Sequence, residues 1–180
     1  MGDTRQRLLD AAVEHLAAHG LTDLSLRRLA TALGTSHRMV IYHFGSHEGL
    51  LVEVIRVVEQ RQREAFADLR DSGSPAEVIR AFWQRLSDPR LWPHERLFFE
   101  IYGQALQGRP GTTSLLDGVV ENWLEPGTRA AVRWGLDPAT ARAQARLGLA
   151  VVRGLLLDLL ATGDREGTTA ALEQFAAGYE

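Results

Sequence analysis

Two residue types are missing from this sequence: it has no cysteine, and its 20 lysine-plus-arginine positions are all arginine. Without cysteine there is no thiolate nucleophile, disulfide, iron–sulfur cluster or cysteine-bound zinc. Without lysine there is no phosphate-loop lysine and no Schiff-base chemistry. Several classes of enzyme are therefore excluded before any motif is considered.

Positive charge is also scarce, and it is unevenly distributed. The net charge of -3 argues against a protein that coats nucleic acid by charge alone. Residues 1–47 hold five arginines against four acidic residues, whereas residues 48–180 hold fifteen against nineteen. The acidity therefore belongs to the larger, C-terminal part of the chain.

Long apolar runs are absent as well. The longest apolar stretch, around Leu147 to Ala161, contains Arg153 and Asp158 and is shorter than the roughly 20 residues that a membrane span needs. The first residues lead directly into an amphipathic pattern and show no export signal. We therefore expect a cytoplasmic protein that makes no membrane contact.

The sequence is rich in helical periodicity. Apolar residues recur at i, i+3, i+4 and i+7 in nearly every segment, and no useful length alternates with period two. The clearest helix start is Ser74 followed by Pro75 and Glu77. Asp137 before Pro138 is a second predicted start, with a capping residue followed by proline. We predict an all-α protein of about nine helices, with a kink or break at Pro126-Gly127 inside a helical segment over 114–135.

The helical segments divide the chain into two parts. Residues 1–46 are predicted to form a three-helix bundle whose first helix stops at Gly20 and whose second is capped by Ser25. Residues 47–180 are predicted to form a second helical domain. A helix from about 46 to 70, ending at the breaker residues 71–73, belongs to both parts.

Residues 25–44 have the spacing of a helix-turn-helix motif, with a turn at Gly34-Thr35. At 100° per residue, Val40 and Phe44 lie on one side of the short second helix. Arg38 and Tyr42 lie on the other side, where arginine can read guanine and tyrosine can bond a phosphate. On geometry alone, an ordinary three-helix bundle fits equally well.

The residues themselves are more specific than the geometry. The segments LRRLA at 26–30, LGTS at 33–36 and IYHFGSHEGLL at 41–51 closely resemble the DNA-binding region of the TetR (tetracycline-repressor-like) family of bacterial regulators. The resemblance covers about the first 55 residues. It implies a homodimeric transcriptional repressor that binds a palindromic double-stranded DNA operator and is released by a small-molecule effector. The implied DNA-binding residues are Arg27, Thr35, Ser36, His37, Arg38, Met39, Tyr42, His43 and His47.

Three positions depart from the pattern of that family. The usual tyrosine before Tyr42 is Ile41, which removes a phosphate contact, and the usual lysine at the start of the fourth helix is His47. Arg38 replaces a small residue. Five of the six histidines lie in residues 1–47, so we expect DNA binding to tighten as the pH falls, with a shallow salt dependence.

Aromatic residues are concentrated beyond the helix-turn-helix motif, which holds none of the four tryptophans. This enrichment suits a pocket for an apolar or aromatic effector between helices, and an ordinary core explains it equally well. If the resemblance holds, the effector-binding candidates are Phe82, Trp83, Leu86, Phe98, Phe99, Tyr102 and Trp123.

The second half of the helix over 139–162 is apolar on almost all sides. Such a helix must be covered all round, either by its own domain or partly by a second copy of the chain. We favour a four-helix dimer interface completed by the last helix. Its predicted residues are Val152, Leu156, Leu159, Leu160, Leu172 and Phe175.

Neither a metal nor a cofactor is expected. The pairs His15/His19 and His43/His47 have the spacing of helical metal ligands, but neither has an evident third ligand. Two alternatives from other classes stay open: a helical small-molecule-binding enzyme and a protein-interaction adaptor. The enzyme finds no support in a catalytic motif, so we expect a protein that is not an enzyme.

Overall fold

A computed structural model of the chain describes residues 2–19, 26–69 and 73–180. These residues form nine α-helices and no β-strand, in agreement with the predicted all-α fold. The helices are α1 (Gly2–His19), α2 (Leu26–Ala32), α3 (His37–Phe44), α4 (His47–Leu69), α5 (Pro75–Leu86), α6 (Trp92–Leu106), α7 (Glu121–Arg133), α8 (Pro138–Thr162) and α9 (Arg165–Ala176). Short 3-10 helices cover Pro89–Leu91, Thr113–Leu116 and Ala177–Tyr179. The predicted stop at Gly20, the cap at Ser25 and the breaker residues 71–72 lie outside the described residues.

Two helix starts follow directly from capping side chains. The Ser74 hydroxyl accepts a hydrogen bond from the Glu77 amide at 3.4 Å, and the Glu77 carboxylate accepts one from the Ser74 amide at 2.8 Å. The Asp137 carboxylate accepts from the amides of Ala139 and Thr140 at 3.1 and 3.2 Å. Both predicted helix starts are therefore confirmed.

The sequence predicts a kink or a break at Pro126-Gly127, and of these two the break is wrong. The chain breaks at Gly118, which has a positive φ of 76°, and α7 then runs without interruption through Pro126. A Cβ atom at Gly127 would lie 3.0 Å from the Cβ of Ala145, so the missing side chain lets α7 approach α8 closely. Pro126 has no amide N–H to donate to a helical hydrogen bond. We attribute the continuity of α7 to its packing against α8, which offsets the loss of that bond.

The chain divides into two compact units. The first comprises Met1–Gln60 and Arg90–Asp117, and the second comprises Arg61–Pro89 and Gly118–Glu180. The first unit thus contains α6 in addition to the predicted N-terminal bundle, and α4 continues from one unit into the other. The division at residues 46/47 remains a prediction about domains, because compactness alone does not define one.

Each unit has its own apolar core. In the first, α1 packs against α6, and its fully buried side chains include Leu16, Leu29, Val40, Leu50, Ile55, Leu97 and Ile101. In the second, α8 packs against α7 and α9, and α5 packs against α9; its fully buried side chains include Trp83, Leu124, Leu159 and Leu172. Among the described residues, no helix is long and apolar enough to cross a membrane.

Candidate nucleic-acid interface

The turn between α2 and α3 is fixed by its own backbone. Gly34 has a φ of 65°, a conformation that glycine adopts at no steric cost, and the Thr35 amide donates to the Ala30 carbonyl at 2.9 Å. The Ser36 hydroxyl then accepts from the Met39 amide at 3.3 Å and begins α3. Gly45 ends α3 with a φ of 76° and donates to the Ile41 carbonyl. The predicted helix-turn-helix geometry is therefore present.

One side of α3 is buried and the opposite side faces solvent. Val40 is fully buried, whereas Tyr42 is 66% exposed. Met39 and Ile41 are 37% and 36% exposed, and His37 and Arg38 are exposed beside them. Among the remaining predicted DNA-binding residues, Arg27 and Ser36 are exposed, and Thr35, His43 and His47 are half-buried. Their role in DNA binding remains a prediction.

The half-buried histidines lie at the junction of α3 and α4. The Nε2 atoms of His43 and His47 are buried and have no hydrogen-bond partner among the described residues. Burial lowers the pKa of His47, and Arg109 lowers it further, while Glu48 and Glu100 act in the opposite direction. His47 therefore becomes charged only at a lower pH than an exposed histidine would, which weakens its case as a phosphate contact at neutral pH.

The start of α4 is held by the segment that follows α6. The Glu48 carboxylate forms an ion pair with Arg109 at 3.4 Å, and the Arg56 guanidinium donates to the Ser114 carbonyl at 2.6 Å. A Cβ atom at Gly111 would lie 3.1 Å from both the Ser46 hydroxyl and the Glu48 Cβ. These contacts could not be predicted from the sequence. They join residues that are separated by 61 and 58 positions, and pairs so far apart leave no periodic pattern.

A second set of contacts joins α1 to α4. The Glu53 carboxylate accepts hydrogen bonds from Arg5 and Arg56, each at 2.7 Å. Burial favours a higher pKa for Glu53, but the two guanidinium groups outweigh it and the pKa is lowered. The Arg5 guanidinium also lies 5.1 Å from the centroid of the Phe44 ring at the end of α3. These contacts therefore hold the C-terminal end of α3 in place.

The predicted effector-binding residues fall into both units. In the second unit, the Phe82 and Trp123 rings lie 5.7 Å apart, and both meet Phe66, which sequence reasoning missed. The Arg63 guanidinium lies 5.8 Å from the Trp123 ring centroid. In the first unit, the Phe98 ring contacts those of Phe99 and Tyr102 at 5.2 and 5.3 Å.

Two of the predicted effector residues have a structural role in the second unit. Trp83 is only 1% exposed, and its indole N–H donates to the Thr169 hydroxyl at 3.0 Å. Leu86 is buried in the same unit. As effector contacts, these two residues remain a prediction, and so do Phe82 and Trp123, whose rings pack together with that of Phe66.

The predicted dimer interface remains a prediction, and its six residues differ in their exposure within a single chain. Leu156, Leu159 and Leu172 are at most 4% exposed within a single chain, so they belong to the core of the second unit. Val152, Leu160 and Phe175 are half-buried. The protomer therefore buries three of the six predicted residues itself and leaves the other three partly accessible. Other apolar positions of α8 are more exposed, among them Leu147 and Leu157.

Known proteins resemble this chain in sequence and fold. The profile of the tetR family of bacterial regulatory proteins matches residues 8–54. The chain is 28% identical to the HTH-type transcriptional regulatory protein RaaS of Mycobacterium tuberculosis over 94% of this chain and 78% of that protein. It is 32% identical to the HTH-type transcriptional repressor NicS of Pseudomonas putida over 43% of this chain, but the match spans only 37% of that protein. A solved transcriptional regulator from Rhodococcus sp. Rha1 shares the fold with a TM-score of 0.77, 20% identity, and coverage of 97% of this chain and 95% of that chain.

The helix-turn-helix motif with its exposed α3 and these likenesses are typical of a bacterial transcriptional regulator of the HTH type. The resemblance to the tetR family rests on residues 8–54, and over most of its length the chain is 28% identical to a regulator. The resemblance inferred from residues 26–51 is thereby confirmed. The matched relatives named above are regulators of transcription, which agrees with the expectation that the protein is not an enzyme.

Proposed function

We propose that the protein is a cytoplasmic, homodimeric repressor of transcription that a small molecule releases from a palindromic operator. The observation that carries this proposal is the solvent-facing side of α3, where His37, Arg38 and Tyr42 stand beside one another. An α-helix fits into the major groove of B-DNA, and arginine can donate hydrogen bonds to both acceptor atoms at the major-groove edge of guanine. The family relation supports the same role for the helix.

The dimer would form along α8. Six exposed residues follow one another at intervals of four and three, which is the spacing of a seam between paired helices. They are Ala143, Leu147, Ala150, Gly154, Leu157 and Ala161. We call this set the α8 stripe. Four of its members are alanine or glycine, so two copies of α8 can approach closely, and Leu147 and Leu157 are each about half exposed in a single chain.

The last helix extends this surface. Gly167, Ala170 and Gln174 are exposed on α9 at intervals of three and four. Two of these, Gly167 and Ala170, are small, so with the α8 stripe they suit a closely packed four-helix interface. This set differs from the six residues that the sequence predicted.

Release from DNA would follow from a shift between two conformations of the dimer. Half-sites one turn apart require recognition helices separated by roughly 34 Å, and only one conformation would meet this spacing. An apolar or aromatic effector contacting Phe66, Phe82 and Trp123 would favour the other conformation. α4 carries Phe66 and starts directly after the recognition helix, so it is the proposed coupling element.

The experiment that tests DNA recognition compares two arginines. Arg38→Ala is expected to reduce the preference for operator over random DNA by about 1–3 kcal/mol, because one base-reading contact is lost. Arg85→Ala removes the same charge from an exposed position on α5 and serves as the matched control. Both variants are measured by fluorescence anisotropy on an operator selected from random duplex DNA. Equal weakening by Arg38→Ala on operator and random DNA would refute the base-reading role.

The alternatives predict other outcomes. A protein-interaction adaptor would keep its affinity for a partner when Arg38 and Tyr42 are both replaced by alanine, and its full chain would select no DNA sequence. A small-molecule-binding enzyme would likewise enrich no sequence from the random pool. Enrichment of one palindromic sequence therefore separates the proposed regulator from both.

A further inference from the structure

Ile41 is an apolar residue beside the polar side chains of His37, Arg38 and Tyr42 on the exposed side of α3. It is 36% exposed and lies on α3 between Val40, which is fully buried, and Tyr42, which is 66% exposed. An isoleucine side chain can offer DNA only an apolar contact, whereas its polar neighbours can bond bases or phosphates.

The flank of α3 that carries Ile41 is open over its full length. His37 lies one turn before Ile41 and is also exposed, so the two residues continue the surface formed by Arg38 and Tyr42. The opposite flank carries Met39, but one turn further on it reaches His43, which is half-buried. The Ile41 flank is therefore the one that can follow the recognition surface into a groove.

The major groove offers only one apolar group at the edges of the bases, the C5-methyl group of thymine. We propose that Ile41 contacts a thymine methyl group at one position in each operator half-site and thereby determines specificity there. This inference rests on the proposed function, namely sequence-specific binding of DNA through α3. Isoleucine is suited to the contact because its β-branched side chain has few rotamers to lose on binding.

The test removes the methyl group from the DNA and the side chain from the protein in turn. An operator is first selected from random duplex DNA with the full chain, and each of its thymines is then replaced by deoxyuridine, which lacks only the methyl group. Fluorescence anisotropy measures the Kd for the wild type and for Ile41→Ala. For the wild type we expect about a fourfold weaker Kd at one position per half-site, the effect of exposing one methyl-sized apolar group.

Ile41→Ala is expected to bind the thymine and uracil forms of that position equally well. Ile41→Val keeps a β-branched side chain and should retain most of the discrimination. Val132→Ala is the matched control, because Val132 is a β-branched apolar residue that is 41% exposed on α7, outside the DNA-binding candidates. It should keep the full difference between thymine and uracil. Circular dichroism checks that each variant is folded. We expect folded variants because the substituted residues are exposed to solvent.

Three results would overturn the inference while leaving DNA binding intact: no thymine whose replacement by deoxyuridine weakens binding, an unchanged response in Ile41→Ala, or loss of the response in Val132→Ala. Failure to select any DNA sequence is a different result. It would overturn the proposed function, and the role of Ile41 would fall with it. The two failures are therefore distinguished by the selection step alone.

Discussion

Glu53 is the residue that joins α1 to α4 through charge. Its carboxylate accepts hydrogen bonds from Arg5 and Arg56, both at 2.7 Å. Glu53→Gln is expected to lower the free energy of unfolding at pH 7 by about 1 kcal/mol, since partly exposed charged hydrogen bonds are screened by water. Chemical denaturation followed by circular dichroism measures this change.

The pH dependence of the same contact has a definite sign. The pKa of Glu53 is lowered in the folded protein from an ordinary value of 4.5, so its contribution is fully present above pH 4.5 and is lost as the pH falls through the folded value. In Glu53→Gln, the free energy of unfolding should therefore fall less steeply as the pH is lowered. Asp68→Asn, at an exposed position on α4, should change stability by no more than about 0.5 kcal/mol. An unchanged acid slope in Glu53→Gln would contradict the role of the ion pairs.

At the level of single elements, α5 is the helix whose start is most fully encoded by its own sequence. The capping box between Ser74 and Glu77 satisfies amides at the helix start, and Pro75 occupies the first turn. Ser74→Ala removes the hydroxyl that accepts from the Glu77 amide, and we expect a loss of about 1 kcal/mol in the free energy of unfolding. Thermal unfolding followed by circular dichroism provides the measurement.

Ser74→Asn is the control for this substitution, because asparagine caps helices as well as serine does. It should retain most of the wild-type stability. A loss in Ser74→Asn as large as that in Ser74→Ala would show that the serine acts through packing and not through the cap.

Local signals explain why these helices could be predicted from the sequence. Caps such as Ser36, Ser74 and Asp137 act within three residues, so the chain itself reveals them. The start of α7 could not be predicted in this way. It follows the positive φ of Gly118, whereas the continuity of the helix through Pro126 accompanies the close approach of Gly127 to Ala145, which is a contact between two helices.

The residues of the candidate site also differ in this way: some follow from the local sequence, and others depend on contacts between distant segments. The exposed face of α3 follows from the period of one helix, so Arg38 and Tyr42 could be predicted. The contact of Phe66 with Phe82 and Trp123 joins three helices, and the ion pair of Glu48 with Arg109 joins distant segments. No local pattern encodes which of many apolar or charged residues will meet in this way.

For the whole molecule, the proposed dimer depends on the α8 stripe. Hydrophobicity along the sequence pointed to residues that include Leu156 and Leu159, which the protomer buries itself, whereas the stripe is defined by the residues that the fold leaves exposed. α8 has 25 residues and is therefore about 37 Å long, which gives the stripe enough length to hold two copies together. Leu157→Glu introduces a charge into the middle of this surface.

Leu157→Glu is expected to convert the dimer into monomers at micromolar concentration, because a carboxylate in an apolar interface is left without a partner. Sedimentation velocity measures the mass, and operator binding should fall with it, because a monomer contacts only one half-site. Leu106→Glu makes the same substitution at a leucine that is 65% exposed and lies outside the stripe, so it should remain dimeric. A Leu157→Glu protein that stays dimeric would place the interface elsewhere, whereas a monomeric wild type would exclude the dimer itself.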